Sequence, residues 1–423
     1  MYNLIKKTFS VLFIIALLAS CAPTQTDEEK SVETMTDEEV RGYANELAQE
    51  FIIVDGHVDL PYRMNVKGFM LTKTVEDVSI ETSGNFDYPK AKKGGLDAPF
   101  MSIYIPASYQ EVGGAKDFAD SLIDMVSRLP VTFPTKFAMA NSTSDIQTNF
   151  DNGMISLPMG MENGAPIEDD INNVKYFYDR GIRYITLTHS KDNQISDSSY
   201  DTAYTWNGLS PFGEEVVREM NKWGIMVDIS HVTDSAAFDA LSITKAPVIA
   251  SHSSARKFTP GFERNMPDNL IKALAENEGV IHINFGSTFL SKESQDKFDK
   301  MREDLLNYQA ENGLNTEDSV YKAYVAQYAI DNDVYEDTEK VADHIDHVVS
   351  IAGIDYVALG SDYDGVGDSL PKGLKDVSTY PNLIYELLKR GYSKEDIEKI
   401  CYKNTFRVWN KVQEIANQLQ KEG

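Results

Sequence analysis

His57 and Asp59 stand two residues apart in the stretch FIIVDGHVDLP, which runs from Phe51 to Pro61. Side chains two apart leave the same face of an extended chain. A histidine and an aspartate so placed are either an ordinary hydrogen-bonded pair or two ligands of one metal ion. Groups of the same chemistry recur after other short apolar runs: Glu162 in MGMENG, His189 in LTHS, Asp228 and His231 in VDISHV, His252 in IASHSSA, and Asp362 with Asp364 in LGSDYDG. Four of the seven histidines therefore sit at or just beyond the end of an apolar run. Imidazole and carboxylate without thiolate suit zinc and similar divalent ions. A carboxylate such as Glu162 can bridge two ions, and two ions about 3.5–4 Å apart can hold one hydroxide and clamp a tetrahedral intermediate.

The elements that must position these groups are legible as a recurring pattern. Eight apolar runs read as strands, at 51–55, 101–106, 154–159, 183–188, 225–230, 247–251, 280–285 and 356–361. Several are almost wholly apolar, as strands covered on both faces must be. Amphipathic stretches such as 214–223, 268–278 and 338–352 lie between them. The pattern predicts a (β/α)8 barrel, in which the carboxyl ends of all strands converge on one face. Two connections exceed simple barrel loops, 63–99 and 287–337, and a helical excursion is expected in the second. His282, alternating within VIHINF, reads as a core histidine. His344 and His347, three apart in DHIDHVV, read as one face of a helix packed outside the barrel. Thr36 and Glu39 form a capping box ahead of a helix whose Val40, Tyr43, Ala44, Leu47 and Phe51 share a face.

The amino terminus is organised differently. MYNLIKKTFSVLFIIALLASC has a basic start, an apolar run and a small-residue end, the layout of a secretory signal and too short for a stable membrane span. Its Leu18-Ala19-Ser20-Cys21 resembles a bacterial lipobox, which implies cleavage before Cys21 and acylation of that cysteine. Several acyl chains on one residue anchor stably where one binds only marginally. The expected organisation is a lipoprotein signal at 1–20, a flexible polar tether at 21–35 and one catalytic domain at 36–423, exported and held at a membrane through Cys21. Only Cys401 then remains as a thiol, so neither an intrachain disulfide nor a cysteine-based zinc site is available. The net charge is −26, and loss of the leader removes Lys6 and Lys7 and no acids, leaving −28. Such a surface argues against nucleic acid or an anionic lipid face as partner.

In order along the chain, VDGHVDLP, GLSPFGEEVVREMN, VDISHV, SHSSA, RNMPDNL, VADHIDHV and GSDYDGV resemble the membrane (renal) dipeptidases of peptidase family M19. The resemblance covers nearly all of the chain from VDGHVDLP onward. It implies a (β/α)8 barrel with two zinc ions per subunit that cleaves dipeptides. It also implies that His57 and Asp59 bind one zinc, that His231 and His252 bind the other, and that Glu162 bridges both. In the same pattern His189 stands near the scissile carbonyl, Arg264 meets the substrate carboxylate, and Asp362 handles the proton of the nucleophilic water. The connection 287–337 is longer than the corresponding stretch of the family and 63–99 matches no motif of it; either is expected to reshape the pocket or to make an oligomer contact, such as that of a homodimer. A related binuclear amidohydrolase acting on a cyclic amide, lactam or N-acyl amino acid is the alternative within enzymes; a surface lipoprotein that binds without turnover is the alternative outside them.

Overall fold

The computed structural model describes residues 32–66 and 73–422. The expected leader, Cys21 and most of the tether lie outside the described residues. Within the tether stretch, Val32–Thr34 form a single 3-10 turn, and Val32 and Met35 pack against the core. The first helix, Asp37–Glu50, begins with the predicted capping box: Glu39 N–H donates to Thr36 Oγ1 at 3.3 Å and Thr36 N–H donates to the Glu39 carboxylate at 2.7 Å. Its Val40, Ala44 and Leu47 are buried, as the periodicity requires.

Among the described residues the strands are β1 (Ile53–Val58), β2 (Leu96–Tyr104), β3 (Phe137–Met139), β4 (Ile155–Leu157), β5 (Met159–Glu162), β6 (Ile182–Thr186), β7 (Met226–Asp228), β8 (Ile249–Ser253), β9 (Val280–Ile283) and β10 (Val357–Leu359). Eight of them form one parallel sheet in the order β1-β2-β5-β6-β7-β8-β9-β10. The loop after β10 returns to β1: Asp362 N–H donates to His57 O at 3.1 Å, and Asp59 N–H donates to Tyr363 O at 2.8 Å. With helices between the strands this is the expected (β/α)8 barrel. The strands are buried nearly throughout, which explains why they read as apolar runs and not as alternating ones.

The third strand differs from the sequence expectation of 154–159. That run divides at Pro158. Its first half, β4, pairs with β3 in a separate two-stranded sheet, and the barrel strand β5 starts at Met159. Proline has no N–H for a ladder, but its carbonyl still accepts from Met101 N at 2.8 Å. Glu162 is therefore the last residue of a strand and not part of a following loop.

Ile52, Val54, Ala98, Phe100, Tyr184 and Met226 belong to an apolar cluster that Val408, Trp409 and Val412 of the final helix, Asn404–Glu422, complete. Asn404 and Arg407 of that helix donate to the Val357 and Gly279 carbonyls, among others, where β10 and β9 begin. This helix plugs the amino-terminal end of the barrel, so the open end is the one that carries the ligand candidates.

The long connections carry structure of their own. Arg63, on the helix Leu60–Val66, binds Asp364 at 2.6 Å and Glu76 at 3.1 Å, tying the 63–99 connection to the loop after β10. The 287–337 connection holds the expected helices, Ser287–Leu290, Lys292–Asn312 and Ser319–Asp331. The three remaining histidines are structural. His282 sits between Ala250 O and Thr405 Oγ1, and His344 between Ala255 N and Leu290 O. His347 pairs with Asp268 at 2.9 Å. Among the described residues no helix is long and apolar enough to cross a membrane.

Asp97 on β2 is a liability inside this architecture. It is 3% exposed, accepts from Ile53 N at 3.2 Å, and has Lys92 no nearer than 3.8 Å. Burial pushes its carboxyl up to about 7. The folded state thus holds the proton more tightly than the unfolded chain does. The stability associated with neutral Asp97 is complete below about pH 4 and is lost as pH rises to about 7. Asp97→Asn keeps an acceptor for Ile53 and carries no charge. It is expected to melt higher than the wild type at pH 8, by on the order of 1–3 kcal/mol in stability, with the difference vanishing toward pH 4. Thermal melts across that range check the sign.

Candidate metal centre

The carboxylate of Glu162 is the point on which the strand ends converge. The Nε2 atoms of four histidines surround it: His57 lies 3.3 Å from Oε2, while His189, His231 and His252 lie 3.5, 3.1 and 3.3 Å from Oε1. These histidines come from β1, from beyond β6, from beyond β7 and from β8, so only the closed barrel assembles them. Asp59 Oδ2 stands 3.4 Å from His57 Nε2, and Asp362 completes a ligand-like group with these two. The structure brings together His57, Asp59, Glu162, His189, His231, His252 and Asp362, and leaves Asp55, Asp228 and Asp364 outside the cluster. Glu162 divides the set: His57 faces one of its oxygens, and His231 and His252 face the other.

Surrounding groups fix the direction of the lone pairs. Asp228, a ligand candidate by position alone, lies beneath the cluster. It accepts from Thr186 Oγ1, Ser251 Oγ and the Ser230 and Ser251 amides, at 2.5, 2.6, 3.0 and 2.8 Å. Because the Ser251 hydroxyl donates to Asp228, its oxygen is free to accept from His252 Nδ1 at 2.8 Å. That arrangement puts the His252 proton on Nδ1 and leaves Nε2 bare toward Glu162. Asp55 is a similar latch beneath β1, accepting from the His57 and Ser361 amides and from the Tyr380 hydroxyl. His57 Nδ1 meets the Tyr184 hydroxyl at 2.8 Å, and the Tyr184 ring occupies the space that a Cβ on Gly160 of the neighbouring strand would need.

Such a centre is electrostatically incomplete. His57 Nε2, Asp59 Oδ1, His189 Nδ1 and His231 Nδ1 are buried with no hydrogen-bond partner, which is costly for polar atoms. Burial holds His231 and His252 well below the usual histidine range, so both are neutral and offer lone pairs. Burial, joined by the charge of Asp59, pushes Asp362 up to about 7. Neutral imidazoles and crowded carboxylates with bare donor atoms facing one point are what divalent cations satisfy. The donor set fits metal.

The backbone pays for this geometry. His231 and Asp362 have φ of +69° and +62°, in the left-handed region that non-glycine residues seldom occupy. Both lie just past a strand end, where a straight continuation would carry the side chain away from the axis. Such outliers cluster at functional sites.

A cavity of about 700 Å³ opens above the cluster, with Asp59, Glu162, His189, His231 and Asp362 in its floor. Arg264 lies behind His252 and is not among the residues that line the cavity. It is 3% exposed, donates to Ser253 Oγ and His252 O at 2.7 Å each, and has an unpartnered Nε–H. It pairs with neither Glu263 nor Asp268: Glu263 accepts from Asp234 N, and Asp268 pairs with His347. Sequence reasoning missed three supporting residues. Ser102 on β2 donates to Glu162 Oε2 at 3.2 Å, Asn284 just past β9 donates to Asp362 Oδ2 at 2.8 Å, and Tyr184 on β6 supports His57. β2 and β9 are the two strands for which the sequence offered no site residue. A polar residue near the end of each, Ser102 and Asn284, was the available signal.

Comparison with known proteins agrees with this geometry. The family model described as Membrane dipeptidase (Peptidase family M19) matches residues 41–423. The dipeptidase tcpJ of Claviceps purpurea is 33% identical over 347 residues, 79% of this chain and 71% of that protein. The probable dipeptidase PvdM from Pseudomonas aeruginosa superposes with a TM-score of 0.75 at 24% identity, over 89% of this chain and 99% of that one. A metallo peptidase from Rhodobacter sphaeroides, solved with a phosphinate mimic of the dipeptide L-Ala-D-Ala, gives 0.68 at 22% identity, over 86% and 99%. The chain belongs to the membrane dipeptidases, peptidase family M19, and is a metallo-dipeptidase.

Proposed function

We propose that this chain hydrolyses the peptide bond of dipeptides with two zinc ions bound on either side of Glu162. The observation that carries the reading is the crowding of donors around that carboxylate, with His57 nearest one oxygen and His189, His231 and His252 nearest the other. His57 and Asp59 would hold one ion, His231 and His252 the second. When bound, the pair supplies Lewis acidity and brings the pKa of a water shared between the ions toward neutrality.

The chain's own groups do the rest. Asp362, held by Asn284 and within reach of His57 and Asp59, takes the proton of the attacking water and returns it to the leaving amine. His189, in the floor of the cavity and less buried than the other three histidines, donates to the peptide oxygen as negative charge develops there. Arg264 offers a planar fork to the free carboxylate. Tyr184 and Ser251 hold His57 and His252 in orientation, and the final helix keeps the opposite barrel end shut. The dipeptide mimic carried by the related metallo peptidase supports the same substrate class. The lipid anchor is part of the proposal: Cys21 is the mature, acylated amino terminus, and the 21–35 stretch tethers the domain to the membrane.

Three outcomes follow. Gently purified protein should carry two zinc ions per chain by elemental analysis. Glu162→Gln should lose both, whereas His231→Ala should chiefly lose one; full activity with one tight ion or none contradicts the binuclear reading. Arg264→Ala should weaken transition-state binding of a dipeptide by on the order of 2–5 kcal/mol. It should also lose most of the wild-type preference for a free acid over its C-terminal amide, and Arg264→Lys should recover only part. Finally, Cys21→Ser should yield unlipidated protein, and wild type that washes from membranes in high salt without detergent contradicts the anchor.

A further inference from the structure

One wall of the cavity comes from outside the barrel. Phe298 and Arg302, on the inserted helix Lys292–Asn312, both line it. Four residues apart, they share one helix face. The first turns of that helix are held to the two ends of the insert, and those ends meet the loop after β10, where Ser287 N–H donates to Ser369 O at 2.7 Å and Lys372 N–H donates to Glu336 O at 2.7 Å. Ser294 N–H donates to Ser291 Oγ at 2.9 Å, Ser294 Oγ donates to Val334 O at 2.7 Å, and Gln295 donates to Thr288 O at 2.8 Å. Phe298 then meets Tyr335 edge-on at 6.0 Å, and the Tyr335 hydroxyl donates at 2.7 Å to Asp368, on the neighbouring loop after β10. Arg302 sits one turn further along this anchored helix.

Its charge stands out. Among the described residues that line it, Arg302 is the only lysine or arginine; the other formal charges there are the carboxylates Asp59, Glu162, Asp362 and Asp368. Its ion-pair partner is Asp299 at 3.6 Å, with the two side chains 75% and 71% exposed, a solvated pair of little strength. The guanidinium is therefore available at the mouth of the cavity, on a chain whose net charge of −26 otherwise repels anions. Arg264, buried behind His252, is the group assigned to the terminal carboxylate. A second carboxylate on the substrate would meet Arg302.

We propose that Arg302 is a specificity-determining residue that favours dipeptides with an acidic side chain, supplied by an insert outside the barrel. The inference rests on the dipeptidase reading above. It is tested by kcat/KM of the zinc-loaded enzyme on Ala-Glu against Ala-Gln and on Glu-Ala against Gln-Ala, with Ala-Ala alongside. Wild type should prefer the acid in at least one pair. Arg302→Gln should reduce that acid-to-amide ratio about three- to fivefold, mostly through KM, the scale of an exposed ion pair. Arg302→Lys should keep part of it, and Asp299→Asn, which frees the guanidinium, should raise it. Hydrolysis of Ala-Ala by wild type reports on the dipeptidase reading by itself. A wild type that cleaves Ala-Ala without preferring acid to amide, or a ratio that Arg302→Gln leaves unchanged, overturns the role of Arg302 and leaves that reading standing. Collapse of the preference for a free C-terminal acid over its amide in Arg302→Gln, with the side-chain ratio intact, also overturns it, because Arg302 would then serve the terminal carboxylate.

Discussion

One buried carboxylate organises this molecule. Glu162 ends β5 with four imidazole nitrogens within 3.5 Å of its two oxygens. Most of the surrounding polar structure aims those nitrogens. Asp228 engages Ser251 so that Ser251 can orient His252, Tyr184 backs His57, and Ser102 steadies Glu162 itself. Without a cation, the result is an arrangement of lone pairs and negative charge that burial makes expensive. With cations, the same crowding becomes a preorganised site. The barrel contributes what no local motif can: parallel strand ends that deliver side chains from positions 57 to 252 to a single point.

The strain at His231 and Asp362 belongs to the same design. Each residue follows a strand and turns back over the barrel mouth through a left-handed backbone conformation. The loop carrying Asp362 is held by β1 on one side, through His57 O and Tyr363 O, and by Arg63 through Asp364 on the other. The 63–99 connection, which matched no pattern in the sequence, thus fastens the loop that carries a site residue. The 287–337 insert bonds to the same loop, through Tyr335 and Asp368, and its helix Lys292–Asn312 lines the cavity. The chemistry lives on barrel strands, and the cavity above it is shaped by segments that the barrel does not require.

What the sequence made legible follows from these physics. Ligand candidates stood out because histidines at strand ends are a pattern that surface residues do not respect, and all of His57, His189, His231 and His252 reached the site. His282, His344 and His347, which the sequence sets in the core and on an outer helix, are each satisfied by ordinary partners. Composition could not separate groups that face the cavity from latches: Asp55, Asp228 and Asp364 occupy the same strand-end positions as Asp59 and Asp362 but direct their oxygens to backbone amides, hydroxyls and Arg63. Ser102, Tyr184 and Asn284 were invisible because their roles depend on cross-strand register, which a single sequence does not display. The third strand was misplaced because β4 is as apolar as a barrel strand, and only Pro158 marks the division. Arg302 was unreadable because it lies on an insert whose path over the mouth is set by contacts far along the chain.

The central claim is that Glu162 is shared between two cations. Anomalous diffraction from crystals of the gently purified protein, recorded on both sides of the zinc absorption edge, tests it most directly. The account predicts two zinc peaks about 3.5–4 Å apart, one beside His57 and Asp59 and the other beside His231 and His252, with Glu162 between them. A single peak in protein that still turns over dipeptides, or two peaks that do not share Glu162, would contradict it.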